Sequence, residues 1–176
     1  MNNYPRVTSA FSLPTASLTD WTVYVDGATF GSNPALVGAG AFTVWCGGAR
    51  LYYAESSPLL DATNNRAEFF AFTRALRWLR SHGLQGVTVY TDSDILSKWA
   101  NGAATLKNPH LLTLARQGEN LIYDTRVTTE WVPRTNQRLA FTDYLASYGG
   151  DAKLLRFSTL AAHSLLIGGY YTDAHR

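Results

Sequence analysis

The sequence predicts an α/β domain with a five-stranded mixed sheet, made of a three-stranded antiparallel meander and two parallel strands, and flanked by helices. The meander is indicated by three strand-like stretches that are separated only by turns. The parallel part is indicated by a repeated phrase, because Thr-Val-Tyr-Val-Asp at 22–26 returns as Thr-Val-Tyr-Thr-Asp at 88–92. If these two strands lie side by side, their final aspartates stand at the same edge of the sheet.

The meander begins with a β-branched and aromatic run, Trp-Thr-Val-Tyr-Val, which suits a half-buried strand. Residues 31–34 and 46–48 have the composition of turns, and Ser-Ser-Pro at 56–58 is expected to close the last strand. The three strands are therefore expected at 22–28, 38–45 and 49–55.

Helical spacing follows the meander. Phe69, Phe72, Leu76 and Leu79 form one stripe of a helix expected at about 64–82. The later elements are expected at 87–91 (fourth strand), about 95–100 (helix), about 109–123 (helix begun by Asn108-Pro109), 127–131 (fifth strand) and up to about 147 (helix capped by Asn136).

Two flanking segments are expected outside a central domain at 20–148. Residues 1–19 are rich in Ser, Thr, Asn and Pro, with Arg6 as their only charged side chain, and are expected to form a flexible arm. A transit peptide is the alternative, which a single arginine fits poorly. Residues 149–176 are expected to hold a last helix, at about 152–167, that packs on the domain.

Composition excludes several classes of protein. The one cysteine, Cys46, rules out an internal disulfide framework and a cysteine-based metal site, and it is expected to be a small buried hydrophobic residue. A net charge of +2 is too weak by itself to indicate nucleic acid binding. The sequence has no run of 18 uncharged apolar residues that predicts a membrane span, and no GxGxxG or P-loop pattern that predicts a nucleotide cofactor.

Three acidic residues occupy unusual places in this plan. Asp26 and Asp92 end the two strands of the repeated phrase, at the edge where open α/β sheets carry their sites. Glu68 opens the buried stripe of the first helix, where an unpaired charge needs a cation or a hydrogen-bonding partner. Each has an ordinary alternative, as a turn residue, a helix cap or a partner of the helix dipole. Together, at one edge of one sheet, they favour a functional site.

The surroundings of these acids resemble a known family. Four stretches are similar, in their order along the chain, to the motifs of type 1 ribonuclease H: Val-Tyr-Val-Asp26-Gly27-Ala, Thr63-Asn-Asn-Arg-Ala-Glu68, Tyr-Thr-Asp92-Ser93 and Trp131-Val-Pro-Arg134. The resemblance covers about 22–146 and extends to compact members that lack a long basic protrusion. It implies a ribonuclease H-like fold, in a stand-alone chain or in a domain of a reverse transcriptase or retroelement.

The resemblance also implies an activity and its metal. It implies an endonuclease that hydrolyses the RNA strand of RNA–DNA hybrids and leaves 5′-phosphate and 3′-hydroxyl ends. Asp26 would bridge two Mg²⁺ ions, for which Mn²⁺ is a substitute, while Glu68, Asp92 and a fourth acid would hold them. Hard cations prefer such oxygen ligands, and two ions about 4 Å apart can activate the attacking water and stabilise the leaving oxygen.

The fourth acid departs from the family pattern. In the compact members that the chain resembles, an aspartate follows the loop asparagine by four residues, a position that Ala140 occupies here. The matching local sequence, Asp143-Tyr-Leu145-Ala146, occurs three residues later in this chain, and positions three apart share a helix face. Asp143 is therefore expected to be the fourth acid, with a three-acid site as the alternative. The histidine loop of some members is replaced by Pro-Arg-Thr, in which Arg134 is expected to attract phosphate or product.

Substrate contacts are implied by the resemblance as well. The groups that would face the 2′-hydroxyls of RNA belong to Gly27, Ala28, Asn64, Asn65 and Ser93, and Thr63 would hold a phosphate of the DNA strand. Further candidate phosphate contacts are Lys98, Lys107, Arg66 and Arg134. Asp94 stands where the family often has glutamine and is expected to weaken hybrid binding. Trp99 is expected in the core, with packing on a deoxyribose as the alternative.

Two other functions stay open from the sequence alone. The displaced fourth acid and the absent histidine allow a catalytically weak or inactive module that binds nucleic acid or a protein partner. An exonuclease or transposase-like enzyme has the same broad fold, although the Thr-Asn-Asn-Arg motif argues against it. The chain is expected to act inside the cell, as a monomer, on an RNA–DNA hybrid.

Overall fold

The computed structural model describes residues 20–47 and 50–148. These ranges contain five strands and four helices. The strands are β1 (Thr22–Thr29), β2 (Ala35–Cys46), β3 (Arg50–Ala62), β4 (Thr88–Thr91) and β5 (Thr128–Trp131), and the helices are α1 (Asn64–Ser81), α2 (Asp94–Ala100), α3 (Pro109–Thr125) and α4 (Gln137–Tyr148). The arm predicted at 1–19 and the helix predicted at about 152–167 lie outside the described residues.

The strands form one mixed sheet in the order β3-β2-β1-β4-β5. β1, β2 and β3 pair antiparallel, while β4 pairs parallel with both β1 and β5. The predicted fold class is therefore confirmed. The repeated phrase is paired in register, because Thr22 lies opposite Thr88 and Tyr24 lies opposite Tyr90.

The alternation of β1 decides which helix covers which face of the sheet. Trp21, Val23 and Val25 are buried in the main core, with α1 and then α3 behind them. Tyr24 points to the other face, where its ring stacks on Tyr90 at 4.9 Å and α4 covers it. Asp26 follows the parity of Tyr24, so its carboxylate begins on the α4 side of the sheet.

Glycines allow α1 to lie unusually close to the sheet. A Cβ atom built on Gly27 would stand 2.4 Å from the backbone of Ala67 and Glu68, and one on Gly40 would stand 2.8 Å from the backbone nitrogen of Ala71. Real Cβ atoms essentially never approach other heavy atoms this closely, so both positions require a residue without a side chain. The first turns of α1 are thereby brought against the end of β1.

The predicted end of β3 is wrong. The strand does not close at Ser-Ser-Pro but continues to Ala62, with Ser56 opposite Ala41 and Pro58 opposite Ala39. β2 correspondingly begins at Ala35 rather than at residue 38. The reason is that β3 is an edge strand, and an edge strand tolerates a proline where its missing N–H would face solvent.

The expectation for the single cysteine is met within the described ranges. Cys46 is buried in the core at 6% exposure. Neither α1 nor any other helix of residues 20–47 and 50–148 combines the length and the apolar character that crossing a membrane requires.

Candidate active site

Three carboxylates meet at the carboxyl edge of the sheet. Asp26 lies near the end of β1, Asp92 follows the last residue of β4, and Glu68 comes from the second turn of α1. One oxygen of each side chain lies within 4.8 Å of the corresponding oxygens of the other two. The structure thus brings together the three acids that the sequence singled out, because the in-register parallel pairing of β1 with β4 places Asp26 beside Asp92 and Gly27 admits the helix that carries Glu68.

The cluster is largely removed from solvent, and two of its oxygens have no partner. Asp26 is 6% exposed and Glu68 is 8% exposed. Asp26 Oδ1 accepts a hydrogen bond of 2.7 Å from the Gly27 N–H. Among the described residues, Glu68 Oε2 and Asp92 Oδ1 are buried and accept no hydrogen bond. Buried acceptors without a donor are costly, so a ligand that accepts their lone pairs fits this site.

Burial and repulsion shift the pKa values of the cluster upward. Burial, followed by the charges of Asp92, Asp143 and Glu68, raises the pKa of Asp26 to about 8. Burial and the charge of Asp92 raise the pKa of Glu68 to about 7, although a hydrogen bond from Ser93 and the charge of Arg134 oppose this rise. A divalent cation would relieve both the repulsion and the unmet acceptors, and hard ions prefer carboxylate oxygens. The residues present therefore fit a site for Mg²⁺ or Mn²⁺.

The segment after β5 closes around Asp92 from one side. Arg134 Nε donates to Asp92 Oδ2 at 2.6 Å, and the indole Nε1 of Trp131 donates to the Asp92 carbonyl at 2.9 Å. The Val132 N–H donates to the Thr91 carbonyl at 2.9 Å. The sequence predicted Arg134 at the site but did not predict Trp131 as a partner of Asp92. The only sequence signal was that Trp131 and Arg134 belong to one short motif.

Asp143 stands apart from the cluster of three. It lies on α4 and is exposed, and its carboxylate Oδ1 accepts a hydrogen bond from Ser147. Its charge nevertheless contributes to the raised pKa of Asp26. Ala140, at the family's usual position, is exposed one turn earlier. The role of Asp143 as a fourth acid stays a prediction.

The predicted substrate contacts surround the N-terminus of α1 and the cluster. Thr63 caps α1, where its hydroxyl accepts from the Arg66 N–H at 3.2 Å. Asn64 and Asn65 are exposed, Ala28 is half-buried, and Ser93 is buried as the cap of α2. Gly27 lies between the strand and the helix. These residues are thus brought to one side of the sheet edge.

Two residues near Asn64 were missed by the sequence analysis. Thr29 Oγ1 donates to Asn64 Oδ1 at 2.9 Å, and Asn33 Oδ1 accepts from the Asn64 N–H at 3.3 Å. Thr29 ends β1, and Asn33 belongs to the turn after it, which composition identified only as a turn. Thr29 orients the side-chain amide of Asn64, and Asn33 holds its backbone N–H.

The outer candidates are placed less favourably. Lys98 forms an ion pair of 2.6 Å with Asp94, so part of its charge is neutralised within its own helix. Arg66 donates to the Asp61 carbonyl, and Lys107 is exposed. Trp99 is 9% exposed, with its ring 5.0 Å from that of Phe69, so the core interpretation is confirmed.

Comparison with known proteins places this geometry in a family. Residues 24–148 match the family described as reverse transcriptase-like. The N-terminal ribonuclease H domain of a Mycobacterium tuberculosis protein, solved as a fusion with maltose-binding protein, is 28% identical, with 72% of this chain and 95% of that chain covered and a TM-score of 0.65. Ribonuclease H1 of the archaeon Halobacterium salinarum is also 28% identical, with coverages of 72% and 93% and a TM-score of 0.63.

A third structure has the same fold at lower identity. LC11 ribonuclease H1, isolated from compost, was solved in complex with an RNA/DNA hybrid. It is 22% identical, with 71% of this chain and 92% of that chain covered and a TM-score of 0.63. No curated protein matches the sequence significantly.

Proposed function

Since this chain belongs to the reverse transcriptase-like family and is a type 1 ribonuclease H, we propose that it cuts the RNA strand of RNA–DNA hybrids internally, with two metal ions, and leaves 5′-phosphate and 3′-hydroxyl ends. The observation that carries this proposal is the cluster of Asp26, Glu68 and Asp92, in which two buried oxygens, Glu68 Oε2 and Asp92 Oδ1, lack partners among the described residues. A Mycobacterium relative and a Halobacterium relative with the same fold support the reaction class.

The carboxylates of Asp26, Glu68 and Asp92 would hold the ions, and Asp143 would complete the set from α4. When bound, the ions would supply an activated water and stabilise the charge on the leaving oxygen. The Gly27 N–H fixes Asp26 Oδ1, so one of the three acids is oriented before any ligand arrives. Preorganised ligands of this kind reduce the cost of assembling the site.

Selection of RNA is assigned to the N-terminus of α1. RNA differs from DNA by its 2′-hydroxyl, which both donates and accepts a hydrogen bond. Thr29 occupies the Asn64 carbonyl oxygen and thereby leaves the Asn64 amide N–H groups available at an exposed position. Thr63 and Arg134 would contact phosphates, because one caps a helix N-terminus and the other presents an exposed guanidinium.

The test compares cleavage of end-labelled RNA–DNA hybrid, double-stranded RNA and double-stranded DNA, with Mg²⁺ and with Mn²⁺. We expect internal cleavage of hybrid RNA alone, and loss of that cleavage in Asp92→Asn. Asp94→Asn is the matched control, since it makes the same change two residues away at an exposed carboxylate that pairs with Lys98. Intact hybrid with the wild-type chain and both metals would overturn the proposal and favour a binding module.

The product ends are tested on the same reaction. Fragments with a 3′-hydroxyl are extended by a template-dependent polymerase, and fragments with a 5′-phosphate change mobility after phosphatase treatment. Products that the polymerase cannot extend would lack a 3′-hydroxyl and would contradict this part of the proposal. A hybrid with both RNA ends blocked separates internal cutting from end-dependent digestion.

A further inference from the structure

A buried chain of hydrogen bonds links the sheet to α4 and belongs to none of the groups described above. Trp45 Nε1 donates to Thr43 Oγ1 at 2.9 Å, and the hydroxyls of Thr43 and Thr142 lie 2.7 Å apart. Thr142 Oγ1 donates in turn to the Arg138 carbonyl at 2.9 Å. If Thr43 donates to Thr142, the N–H of Trp45 and the two hydroxyl hydrogens each take part in one hydrogen bond. Both threonines are 0% exposed.

Stability alone does not require this arrangement. A hydroxyl buried without a partner is costly, whereas a bonded pair returns only about 1 kcal/mol. Valine has nearly the same shape as threonine, so two valines would fill this space, and only Trp45 Nε1 would then lose its acceptor. What the pair does add is geometry, because a hydroxyl–hydroxyl bond is satisfied at one axial position of the helix and broken when the helix slides by a fraction of a turn.

The contacts of α4 define that axial position. At its beginning, Leu139 packs with Tyr24 and Trp45. Near its end, Leu145 and Ala146 pack on Ala41, which is the cross-strand partner of Asp26. The helix therefore runs along β1 from the level of Tyr24 toward the level of Asp26.

The position of each α4 residue along this direction decides whether its side chain can reach the carboxylates. Thr142 is fixed opposite Thr43, and Thr43 is the cross-strand partner of Tyr24. Asp143 is the next residue toward the level of Asp26. Ala140 lies roughly 4.5 Å further back along the helix, at a rise of about 1.5 Å per residue.

We propose that the Thr43–Thr142 pair sets the axial register of α4 and thereby makes position 143, rather than position 140, the source of the fourth acid. Thr142 and Thr43 are positioning residues in this scheme, since neither touches the carboxylate cluster. The inference rests on the proposed function, which assigns metal to the site and Asp143 to its ligands.

The test measures Mn²⁺ affinity in the absence of nucleic acid, by the loss of the free-ion electron paramagnetic resonance signal. We expect Thr142→Val to weaken Mn²⁺ binding, because the helix would no longer hold position 143 at the site, and Thr142→Ser, which retains the hydroxyl, to keep the wild-type affinity. Thr125→Val is the matched control, because Thr125 is equally buried in α3 and its hydroxyl bonds only to the Leu121 carbonyl of the same helix. Unchanged affinity in Thr142→Val would overturn the proposal.

A double-mutant cycle separates register from simple packing. If Thr142 acts through Asp143, Thr142→Val has little further effect on Mn²⁺ affinity in the Asp143→Asn background. Additive losses would contradict the proposal. Thr43→Val removes the same bond from the strand, together with the acceptor of Trp45 Nε1, and supplies a second cycle if Thr142→Val does not fold.

Moving the acid gives a second readout. Asp143→Asn combined with Ala140→Asp is expected not to regain Mn²⁺ affinity, because position 140 lies behind the site in this register. Recovery would show that α4 is free to slide and would overturn the inference. Failure of hybrid cleavage with intact Mn²⁺ binding in the wild type would instead count against the proposed function, so the two failures are distinguishable.

Discussion

Arg134 and Asp92 form an ion pair in which one partner is exposed and the other is buried: their Nε and Oδ2 atoms lie 2.6 Å apart, while the side chains are 86% and 5% exposed. An exposed guanidinium is therefore the counter-charge of a buried carboxylate. A divalent ion that binds Asp92 must compete with this contact, and a phosphate that binds Arg134 would help to release it.

Replacing this arginine is expected to affect metal and substrate in opposite directions. Arg134→Gln should tighten Mg²⁺ binding without nucleic acid by roughly two- to fivefold, the range expected for an exposed ion pair, and should raise KM for the hybrid. Calorimetric titration and steady-state kinetics measure the two effects. Arg80→Gln, which breaks the 3.2 Å surface pair with Asp124, is the control and should change neither. Weaker metal binding in Arg134→Gln would contradict this expectation.

The stability of the metal-free protein should fall as pH rises. Asp26 and Glu68 have folded-state pKa values of about 8 and about 7, above their ordinary values of 3.8 and 4.5. The folded state therefore holds these protons more tightly, and the stability they contribute is present below about pH 4 and lost as pH rises through 7 to 8. Chemical denaturation in a chelator, from pH 4.5 to 8.5, should show this loss.

Two changes should reduce the dependence of the protein's stability on pH. Asp26→Asn removes the group with the larger shift, and saturating Mg²⁺ binds the ionised form, so each should raise the free energy of unfolding near pH 8 by more than about 1 kcal/mol. Asp124→Asn, at an exposed surface pair, is the matched comparison and should keep the slope. A wild-type stability that is constant across this range would refute the expected protonation of the cluster.

Gly27 should tolerate no side chain. Gly27→Ala forces a Cβ against the backbone of Ala67 and Glu68, which should cost about 2 kcal/mol and move Glu68 away from Asp26. Gly83→Ala is the comparison. Gly83 has a φ of +67°, and a Cβ atom added there would contact nothing, so the alanine would cost only the strain of the left-handed backbone conformation, about 1 kcal/mol. Denaturation curves and Mn²⁺ affinity should both change in Gly27→Ala, and only the former in Gly83→Ala.

The two tryptophans near the site should behave differently. Trp99 is buried against Phe69 and against Gly118, so Trp99→Ala should lose about 4 kcal/mol of stability without a change in KM for the molecules that stay folded. Trp131 is 54% exposed and holds the Asp92 carbonyl. Trp131→Phe should therefore cost little stability and reduce Mn²⁺ affinity. A raised KM in Trp99→Ala would revive the deoxyribose contact.

Much of the sheet and the cluster follows from local sequence. The phrase shared by 22–26 and 88–92 fixes the parity of both strands, so in-register pairing brings Asp26 beside Asp92 without further information. Glu68 could be placed because it starts an apolar helical stripe. Caps such as Asn108 and Asn136 are equally local, and both accept hydrogen bonds from the first turns of their helices.

The remaining features depend on neighbours distant in sequence. Ser-Ser-Pro indicates a strand end unless the strand is known to lie at the sheet edge, which only the whole topology reveals. Thr43 and Thr142 are ordinary residues of a strand and a helix, and their bond spans 99 positions. The contact of Arg134 with Asp92 is a matter of side-chain conformation, which spacing does not determine.

β3 has a consequence beyond the site. It runs 13 residues along one outer edge of the sheet, and such an edge is a template on which another chain can add a strand. Pro58 interrupts the row of N–H groups that an incoming strand would need, and the opposite edge, β5, is only four residues long. Pro58, which makes β3 look shorter in the sequence than it is, thus also opposes intermolecular strand pairing and aggregation at this edge.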